Sequence, residues 1–377
     1  MAPERVHVPL IDVRAQNELI LSELESAAQR VIRSGGYILG GENAALEEEV
    51  SAHLGVDHAV AVSSGTDAIL LSLMALGIGP GDEVICPSFT FFATASCVSR
   101  LGATPVFADV ELESFNLDPA AVEAKLSERT KAVIPVHLFG QTADLNPVLK
   151  LSESHGLHVI EDAAQAFGAE HEGRKCGTLG DFGTYSFFPT KNLGGLGDGG
   201  MLVTNDPELA ATARLLRNHG MNPKYYYPSI GGNFRMDELH AAMLRVKLGH
   251  IEAWEKARAK NAESYRRDFA DENETSIIPP MDCGRGKHVW NQFTLRIPDG
   301  RRDALKAHLF EEGISSEIYY PLPLHRQQCF AELGAFALEG NPRSETLGAE
   351  VLSIPVFPEL TKGQRESVVA AIRSFVA

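Results

Sequence analysis

Residues 158–165 read His-Val-Ile-Glu-Asp-Ala-Ala-Gln, a short apolar run that ends in two adjacent carboxylates. The run is too continuous to leave one face in water, as expected of a strand covered on both sides. Six more short apolar runs occur along the chain, and we predict a strand at each of the seven. The predicted strands are 58–63, 83–86, 105–108, 132–137, 158–161, 184–188 and 201–204.

Segments with apolar residues at helical spacing separate several of these runs. The predicted helices are 15–33, 43–53, 66–77, 91–100, 119–126, 144–155 and 206–217. This alternation predicts an α/β fold with a mostly parallel seven-stranded sheet flanked by helices.

The pattern changes near residue 235. Residues 236–269 predict one long helix, bent near Gly249. Beyond the proline pair at 279–280, we predict a strand, a helix and a second strand, at 288–297, 302–312 and 315–319. We therefore expect a large domain with N-terminal helices over residues 1–250 and a small C-terminal α+β domain over residues 251–377.

Composition restricts the function classes. The chain has 377 residues and a formal net charge of −16, which argues against nucleic-acid binding because that requires phosphate neutralisation. No apolar run is long enough to span a membrane, and the N-terminus lacks the apolar segment of a signal peptide, so we expect a cytoplasmic protein. The cysteines have no metal-binding spacing, so we expect free thiols and no metal site. They are Cys86, Cys97, Cys176, Cys283 and Cys329.

In α/β sheets, ligands bind at the carboxyl ends of the strands, so the residues that follow the strands are the first candidates. Residues 63–68 (Ser-Ser-Gly-Thr-Asp-Ala) offer small side chains and free N–H groups, which suit a phosphate, although a simple helix cap explains them too. Residues 161–165 place two carboxylates at the end of a buried strand. Such carboxylates are costly unless paired with a cation, and a protonated pyridine nitrogen would be one, although a helix cap or a structural ion pair explains them too.

Two later segments add to this set. Lys191 lies just past an apolar strand and before a glycine-rich loop. Burial lowers the pKa of a lysine, which suits imine formation with an aldehyde, although most lysines are solvated surface residues. Residues 231–238 begin the long helix, where Asp237 and Glu238 could simply complement the helix dipole. Each of the four segments alone is weak evidence for a function, whereas the order and spacing of all four together are strong evidence.

Together these segments resemble the sugar aminotransferases of the DegT/DnrJ/EryC1/StrS family, which have the type I fold of enzymes that depend on pyridoxal 5′-phosphate (PLP). The resemblance covers nearly the whole chain, from Pro9 to the C-terminal segment. Its most specific parts are residues 64–68, 87–91, 161–165, 186–194 and 233–236.

The resemblance implies that Lys191 is the catalytic residue, which would hold PLP as a Schiff base and carry a proton between substrate and cofactor. Asp162 would keep the pyridine nitrogen protonated, which makes the ring an electron sink. Gln165 would face the phenolic oxygen of the cofactor, and Phe91 would stack on its ring.

The resemblance also implies how the cofactor phosphate is held. Gly65, Thr66 and the Ser186 hydroxyl would bind it together with Asn233 from a second subunit. The active site would therefore be shared across a homodimer.

The implied substrate is a nucleoside-diphosphate keto sugar, with glutamate as the amino donor. Lysine at position 191, where dehydratase relatives have histidine, favours amino transfer. Tyr320 and His325 lie in a segment, 319–325, that resembles the substrate site of members acting on 3-keto sugars, so a 3-keto substrate is favoured over a 4-keto one. Gly232 departs from the family, in which many members have a bulkier residue there, and this leaves the identity of the sugar open.

The diphosphate of such a substrate needs cations despite the acidic composition. Arg235 is the first candidate, followed by Lys224, Arg285 and Lys287, although each could equally be a solvated surface residue.

Other functions remain open. A nicotinamide-dependent oxidoreductase should carry G-x-G-x-x-G after its first strand, and the loop after residue 62 lacks it. Another PLP reaction on a nucleotide sugar is possible, as is a regulatory protein that retains the fold. The presence of Lys191, Asp162 and Ser186 together favours an enzyme.

Overall fold

The computed structural model describes residues 7–270 and 277–376. In its N-terminal part, helices alternate with short strands. In chain order these elements are α1 (Val13–Glu18), α2 (Leu21–Ser34), α3 (Gly41–Leu54), β1 (His58–Val62), α4 (Gly65–Ala75), β2 (Glu83–Pro87), α5 (Ala93–Arg100), β3 (Thr104–Ala108), α6 (Pro119–Ala124), β4 (Thr130–Val133), α7 (Leu145–His155), β5 (His158–Asp162), β6 (Glu170–His171), β7 (Arg174–Lys175), β8 (Phe182–Ser186), β9 (Gly200–Thr204) and α8 (Pro207–Arg217).

Seven strands form one sheet in the order β1-β9-β8-β5-β4-β2-β3. Strand β9 runs antiparallel to β1 and β8, and the other pairs are parallel. All seven predicted strands and the mostly parallel sheet are thus confirmed. The predicted strand 132–137 begins and ends earlier than expected, because beyond Val133 only an isolated bridge, Val136 to Asp162, continues the pairing. The hairpin of β6 and β7 was not predicted.

Both faces of the sheet are buried, which explains the continuous apolar runs. On β1, Ala59 and Ala61 pack into a cluster with residues of α2, α3 and the helix at 238–248. Val60 and Val62 pack on the opposite face with residues of α4 and α5. The helix predicted at 15–33 is two helices, because the chain turns at residues 19–20 between α1 and α2.

The C-terminal part is smaller and more irregular. Its elements are α9 (Glu238–Leu248), α10 (Ile251–Ala270), β10 (Phe293–Arg296), α11 (Arg302–Glu311), α12 (Ala335–Leu338), α13 (Pro342–Glu350), β11 (Val351–Ile354) and α14 (Lys362–Val376). The predicted long helix is divided between α9 and α10 at Gly249, where the bend was expected.

The predicted strand 315–319 is wrong. The partner of β10 is β11, which pairs with it antiparallel and was not predicted. Within 315–319, Ser315 donates its N–H to Val8 O (2.9 Å), whereas Glu317 exchanges two backbone hydrogen bonds with Ser353 (3.1 and 2.8 Å). The segment therefore has an extended pattern but changes partners after two residues, so no continuous ladder forms.

The domain boundary at residue 250 stays a prediction. Helix α10 begins there, and its Ala262, Tyr265 and Phe269 belong to a hydrophobic cluster with β10, β11 and α14. Val8, from the opposite end of the chain, belongs to the same cluster. Within the described residues, every helix is too short or too polar to cross a bilayer.

Candidate active site

The start of α4 lies directly against the end of β8. Ser64 caps the helix, and its Oγ accepts from the Asp67 N–H at 3.0 Å. A β-carbon added at Gly65 would lie 2.7 Å from the Ser186 Cβ, so glycine is what allows this close approach. The first-turn N–H groups at Gly65 and Thr66 have no acceptor within the helix. Glycine, free N–H groups and the Ser186 hydroxyl thus form a recess suited to a phosphate.

Asp162 ends β5 and is buried. Its Oδ2 accepts from the Thr94 Oγ1 at 2.8 Å, and its Oδ1 accepts from the Ala164 N–H at 3.1 Å. Burial raises the pKa of this carboxyl, although the two hydrogen bonds and the positive charge of Lys191 oppose the shift. A cation beside the carboxylate would therefore be stabilising. Thr94 was not predicted, although it lies one helical turn beyond Phe91.

Glu161 precedes Asp162 and has a different environment. Its side chain accepts hydrogen bonds from the N–H groups of Gly177 (2.7 Å), Leu179 (2.6 Å) and Gly180 (2.8 Å). The His137 Nε2 lies 2.9 Å from Oε2 and donates to it, since the Nδ1 of His137 accepts from a backbone N–H. Burial alone would raise the pKa of Glu161, but these donors lower it overall. Glu161 thus secures the 177–180 turn against β5.

Lys191 follows β8 and is partly accessible to solvent. Its backbone N–H donates to the Phe188 O at 2.9 Å, which turns the chain back at the strand end. Removal of its ammonium group from water lowers the lysine pKa to about 8, although the Asp162 carboxylate opposes this shift. The fraction of Lys191 that is a neutral, nucleophilic amine near neutral pH is therefore larger than that of an ordinary lysine.

Gln165 connects the strand ends to the C-terminal part. Its Oε1 accepts from the Phe139 N–H at 2.7 Å, and its Nε2 donates to the Tyr320 Oη at 3.1 Å. The Tyr320 ring lies 6.0 Å from the Phe89 ring and 6.2 Å from the Phe91 ring, centroid to centroid. Phe91 itself is 55% exposed. Gln165, Phe91 and Tyr320 thus belong to one contiguous site.

Residues 233–235 run beside the end of β1, where Val62 bridges to Arg235. The Arg235 guanidinium donates to the Asn233 Oδ1 at 2.9 Å and to the Asn218 Oδ1 at 3.0 Å. Asn233 lies on the surface. Arg235 has two amide acceptors and no carboxylate among its hydrogen-bond partners in the described part of the chain, so its charge is available to an anion.

The three lower-ranked cations have different surroundings. Arg285 pairs with Glu111 (3.0 Å) and lies 3.6 Å from an Asp144 oxygen. Lys287 pairs with Glu255 at 2.5 Å. Lys224 lies in an exposed segment. Arg285 and Lys287 are therefore already neutralised by carboxylates.

His325 is buried, and both of its ring nitrogens have protein partners. Nδ1 lies 2.5 Å from the Ser88 Oγ, and Nε2 lies 3.0 Å from Glu345 Oε1. Burial lowers the His325 pKa, and the bond to Glu345 opposes this. In this arrangement His325 joins the 321–326 segment to the residues after β2 and to α13.

Comparison with known proteins agrees with this geometry. A model of the DegT/DnrJ/EryC1/StrS aminotransferase family matches residues 19–373. The chain belongs to this family.

Individual relatives cover almost the full length of this aminotransferase. It is 47% identical to the pleiotropic regulatory protein of Geobacillus stearothermophilus, over 98% of this chain and 99% of that protein. It is 44% identical to the UDP-N-acetyl-3-dehydro-α-D-glucosamine 3-aminotransferase of Acidithiobacillus ferrooxidans, over 97% of each chain. The crystal structure of S. venezuelae DesV in complex with a ketimine intermediate matches with a TM-score of 0.93, at 42% identity and 98% coverage of each chain.

The protein is therefore a PLP-dependent aminotransferase with the type I fold. The site fits this cofactor in three respects: a buried carboxylate that forms no salt bridge with another described residue, a lysine with a lowered pKa, and a recess that a single β-carbon at Gly65 would fill. The residues around Asp162, Lys191 and Ser186 come from sequence-distant strand ends, as the order of the motifs predicted.

Proposed function

We propose that this aminotransferase transfers the amino group of glutamate to the keto carbon of a nucleoside-diphosphate sugar, with a 3-keto sugar favoured over a 4-keto one. The placement of Tyr320 beside Phe91 and Gln165 carries the proposal, because it brings the 319–325 segment onto the cofactor site. The relative from Acidithiobacillus ferrooxidans, by its name, acts on a 3-dehydro sugar nucleotide.

Within this proposal, PLP supplies the electron sink that stabilises negative charge on the reacting carbon. Asp162 holds the proton on the ring nitrogen, and Thr94 orients that carboxylate. The Lys191 amine would hold the cofactor, and the same amine would remove and return the proton at the reacting carbon. Its lowered pKa suits both tasks near neutral pH.

The remaining proposed contacts orient cofactor and substrate. Gly65, Thr66 and Ser186 would bind the phosphate, and Phe91 would stack on the ring. Gln165, fixed by the Phe139 N–H, presents its amide to the phenolic oxygen.

Substrate contacts are proposed at three positions. Arg235 faces the diphosphate, since it has no carboxylate partner in the described chain. Tyr320 lines the sugar site. His325 is proposed to act at this site through the segment that it anchors, because both of its ring nitrogens are occupied by Ser88 and Glu345.

We also propose a homodimer in which Asn233 of one subunit completes the phosphate site of the other. The surface position of Asn233 supports this, because its side chain is open to a second chain. Like the shared site, a cytoplasmic location remains a proposal.

The proposal is tested by a spectroscopic screen of the reverse half-reaction. Holoenzyme is mixed with 3-amino and 4-amino sugar nucleotides that share one nucleoside, and conversion of the aldehyde form of the cofactor to its amine form is followed by absorbance. We expect faster conversion with the 3-amino compounds. Conversion by simple amino acids but by no sugar nucleotide would contradict the substrate class.

A regulatory role is the second candidate, because the Geobacillus relative is named as a regulatory protein. The same screen separates the two functions. A stable visible band that no amino sugar nucleotide discharges would favour regulation, whereas catalytic turnover with 2-oxoglutarate would favour the enzyme.

A further inference from the structure

The segment after Lys191 is unusually rich in glycine. Residues 194–200 read Gly-Gly-Leu-Gly-Asp-Gly-Gly, and we call them the glycine loop. The Gly195 N–H donates to the Phe187 O at 2.7 Å, and the Phe187 N–H donates to the Gly199 O at 2.8 Å. The loop is therefore folded back onto the end of β8, from which both Ser186 and Lys191 extend.

The loop also reaches the phosphate recess. Gly200 pairs with Val62 on one side and with Ser186 on the other. A β-carbon at Gly200 would overlap the backbone of Ser64 and would lie 2.6 Å from the Gly65 nitrogen. Displacement of the glycine loop would thus move Lys191 and the phosphate recess together.

His240 packs against this loop. It belongs to the first turn of α9, where its N–H donates to the Asp237 Oδ1 at 2.7 Å. Its ring is buried, and its Nε2 has no hydrogen-bond partner within the described residues. A β-carbon at Gly195 would overlap the His240 Nε2, and one at Gly199 would lie 3.0 Å from the same atom. The ring thus occupies the space that side chains in the loop would need.

We propose that His240 is a positioning residue, whose ring packs against the glycine loop and thereby sets the position of Lys191 and of the phosphate recess. This proposal rests on the covalent link between Lys191 and PLP proposed above. The ring acts by its shape, since the nitrogen that faces the loop makes no hydrogen bond there.

The proposal explains why glycine is needed at position 195. Gly195 is not among the glycines with positive φ, so alanine there is not forced into the left-handed region. All three of the nearest atoms to an added β-carbon belong to the His240 ring. Glycine at 195 is therefore required by the histidine, and removal of the ring should remove the requirement.

Gly197 offers a matched control in the same loop. A β-carbon at Gly197 would lie 3.7 Å from the His240 Cε1, an ordinary van der Waals distance, and its φ is not positive either. Gly197→Ala therefore makes the same chemical change without the collision.

The test compares Gly195→Ala, Gly197→Ala, His240→Ala and the double variant Gly195→Ala/His240→Ala as holoenzymes. Two quantities are measured that need no sugar substrate: the dissociation constant of PLP, and the pH midpoint of the visible band of the Lys191-linked cofactor. We expect Gly195→Ala to weaken PLP binding about tenfold or more and to shift the midpoint, as misplacement of reacting groups does. Gly197→Ala should change neither.

His240→Ala alone should also shift the pH midpoint, and Gly195→Ala should have little further effect in that background. Additive effects in the double variant, or equal effects of Gly195→Ala and Gly197→Ala, would overturn the proposal. If Gly195→Ala does not fold, an unchanged midpoint in His240→Ala would still overturn it. Failure of the sugar-nucleotide proposal would leave all these readouts unaffected, so the two outcomes are distinguishable.

Discussion

Glu161 and Asp162 are adjacent on β5, and their carboxylates are both buried, yet their surroundings are opposite. Glu161 accepts hydrogen bonds from His137 and from three N–H groups of one turn. Asp162 accepts one bond at each oxygen, from Thr94 and Ala164. The pKa of Glu161 is lowered, because its donors outweigh burial, whereas the pKa of Asp162 is raised by burial.

The difference separates a structural carboxylate from one held ready for a ligand. Glu161 has the donors that its buried charge requires. Asp162 has fewer donors than its buried charge requires, and a bound cation would supply the missing stabilisation. Alternation along the strand directs the two side chains to opposite faces of the sheet, so neighbouring residues serve the fold and the cofactor separately.

Asp162→Asn should produce the largest effect on catalysis. The amide keeps the shape of the side chain and a hydrogen bond to Thr94, but it cannot hold the proton on the cofactor ring. We expect kcat/KM to fall by about 10²–10³-fold, in the range of other lost electrostatic contacts. Without cofactor, the free energy of unfolding should stay the same or rise, since a poorly compensated buried charge is removed. Steady-state kinetics and urea unfolding of the cofactor-free protein measure the two quantities.

Glu161→Gln should produce the largest effect on stability. The NH2 group that replaces one carboxylate oxygen in glutamine cannot accept a hydrogen bond, so two donors, either Leu179 and Gly180 or Gly177 and His137, lose their acceptor. We expect the free energy of unfolding to fall by about 3 kcal/mol, as for two buried donors left without a partner. The kcat/KM of the remaining folded enzyme should change less than that of Asp162→Asn. A variant as stable as the wild type, but inactive, would reverse the assignment of the two carboxylates.

The pH dependence of stability should differ in sign between the two residues in the cofactor-free protein. The folded-state pKa of Glu161 is lowered, so its stabilisation is full above its ordinary pKa of about 4.3 and is lost as pH falls through the folded value. The folded-state pKa of Asp162 is raised, so stability is lost as pH rises from about 3.9 through the folded value. Urea unfolding from pH 3 to 7 measures the free energy of unfolding of Glu161→Gln and Asp162→Asn relative to the wild type. The stabilisation by the Glu161 carboxyl should increase with pH over this range, whereas that by the Asp162 carboxyl should decrease.

Thr94→Val should have the smallest effect of the series. Valine has a similar shape but lacks the hydroxyl that donates to Asp162. Loss of this bond should raise the Asp162 pKa further and reduce kcat/KM about fivefold to tenfold, corresponding to the net contribution of one ordinary hydrogen bond. An unchanged pH profile of kcat/KM in Thr94→Val would show that the hydroxyl does not tune this carboxylate.

Part of this site could be predicted from the sequence alone. Lys191 and Asp162 follow apolar runs, so both could be chosen as candidates because ligands bind at strand ends. The pairing of β5 with β8, which brings those ends together, is seen only in the structure. Strand patterns alone could not tell the glutamate from the aspartate, and only the family resemblance singled out Asp162, since the donors of Glu161 come from a turn about 18 residues away. For the same reason, the ion pairs of Arg285 with Glu111 and of Lys287 with Glu255 join distant residues that no local pattern connects.

Borohydride reduction tests the proposed covalent link between Lys191 and the cofactor directly. Holoenzyme is reduced and digested, and the peptide that carries the pyridoxyl group is identified by mass spectrometry, with Lys191→Ala as the control. We predict a single labelled peptide that contains Lys191, and no label in the variant. Label on another lysine in the wild type, or undiminished label in Lys191→Ala, would contradict the assignment of Lys191 as the residue that holds the cofactor.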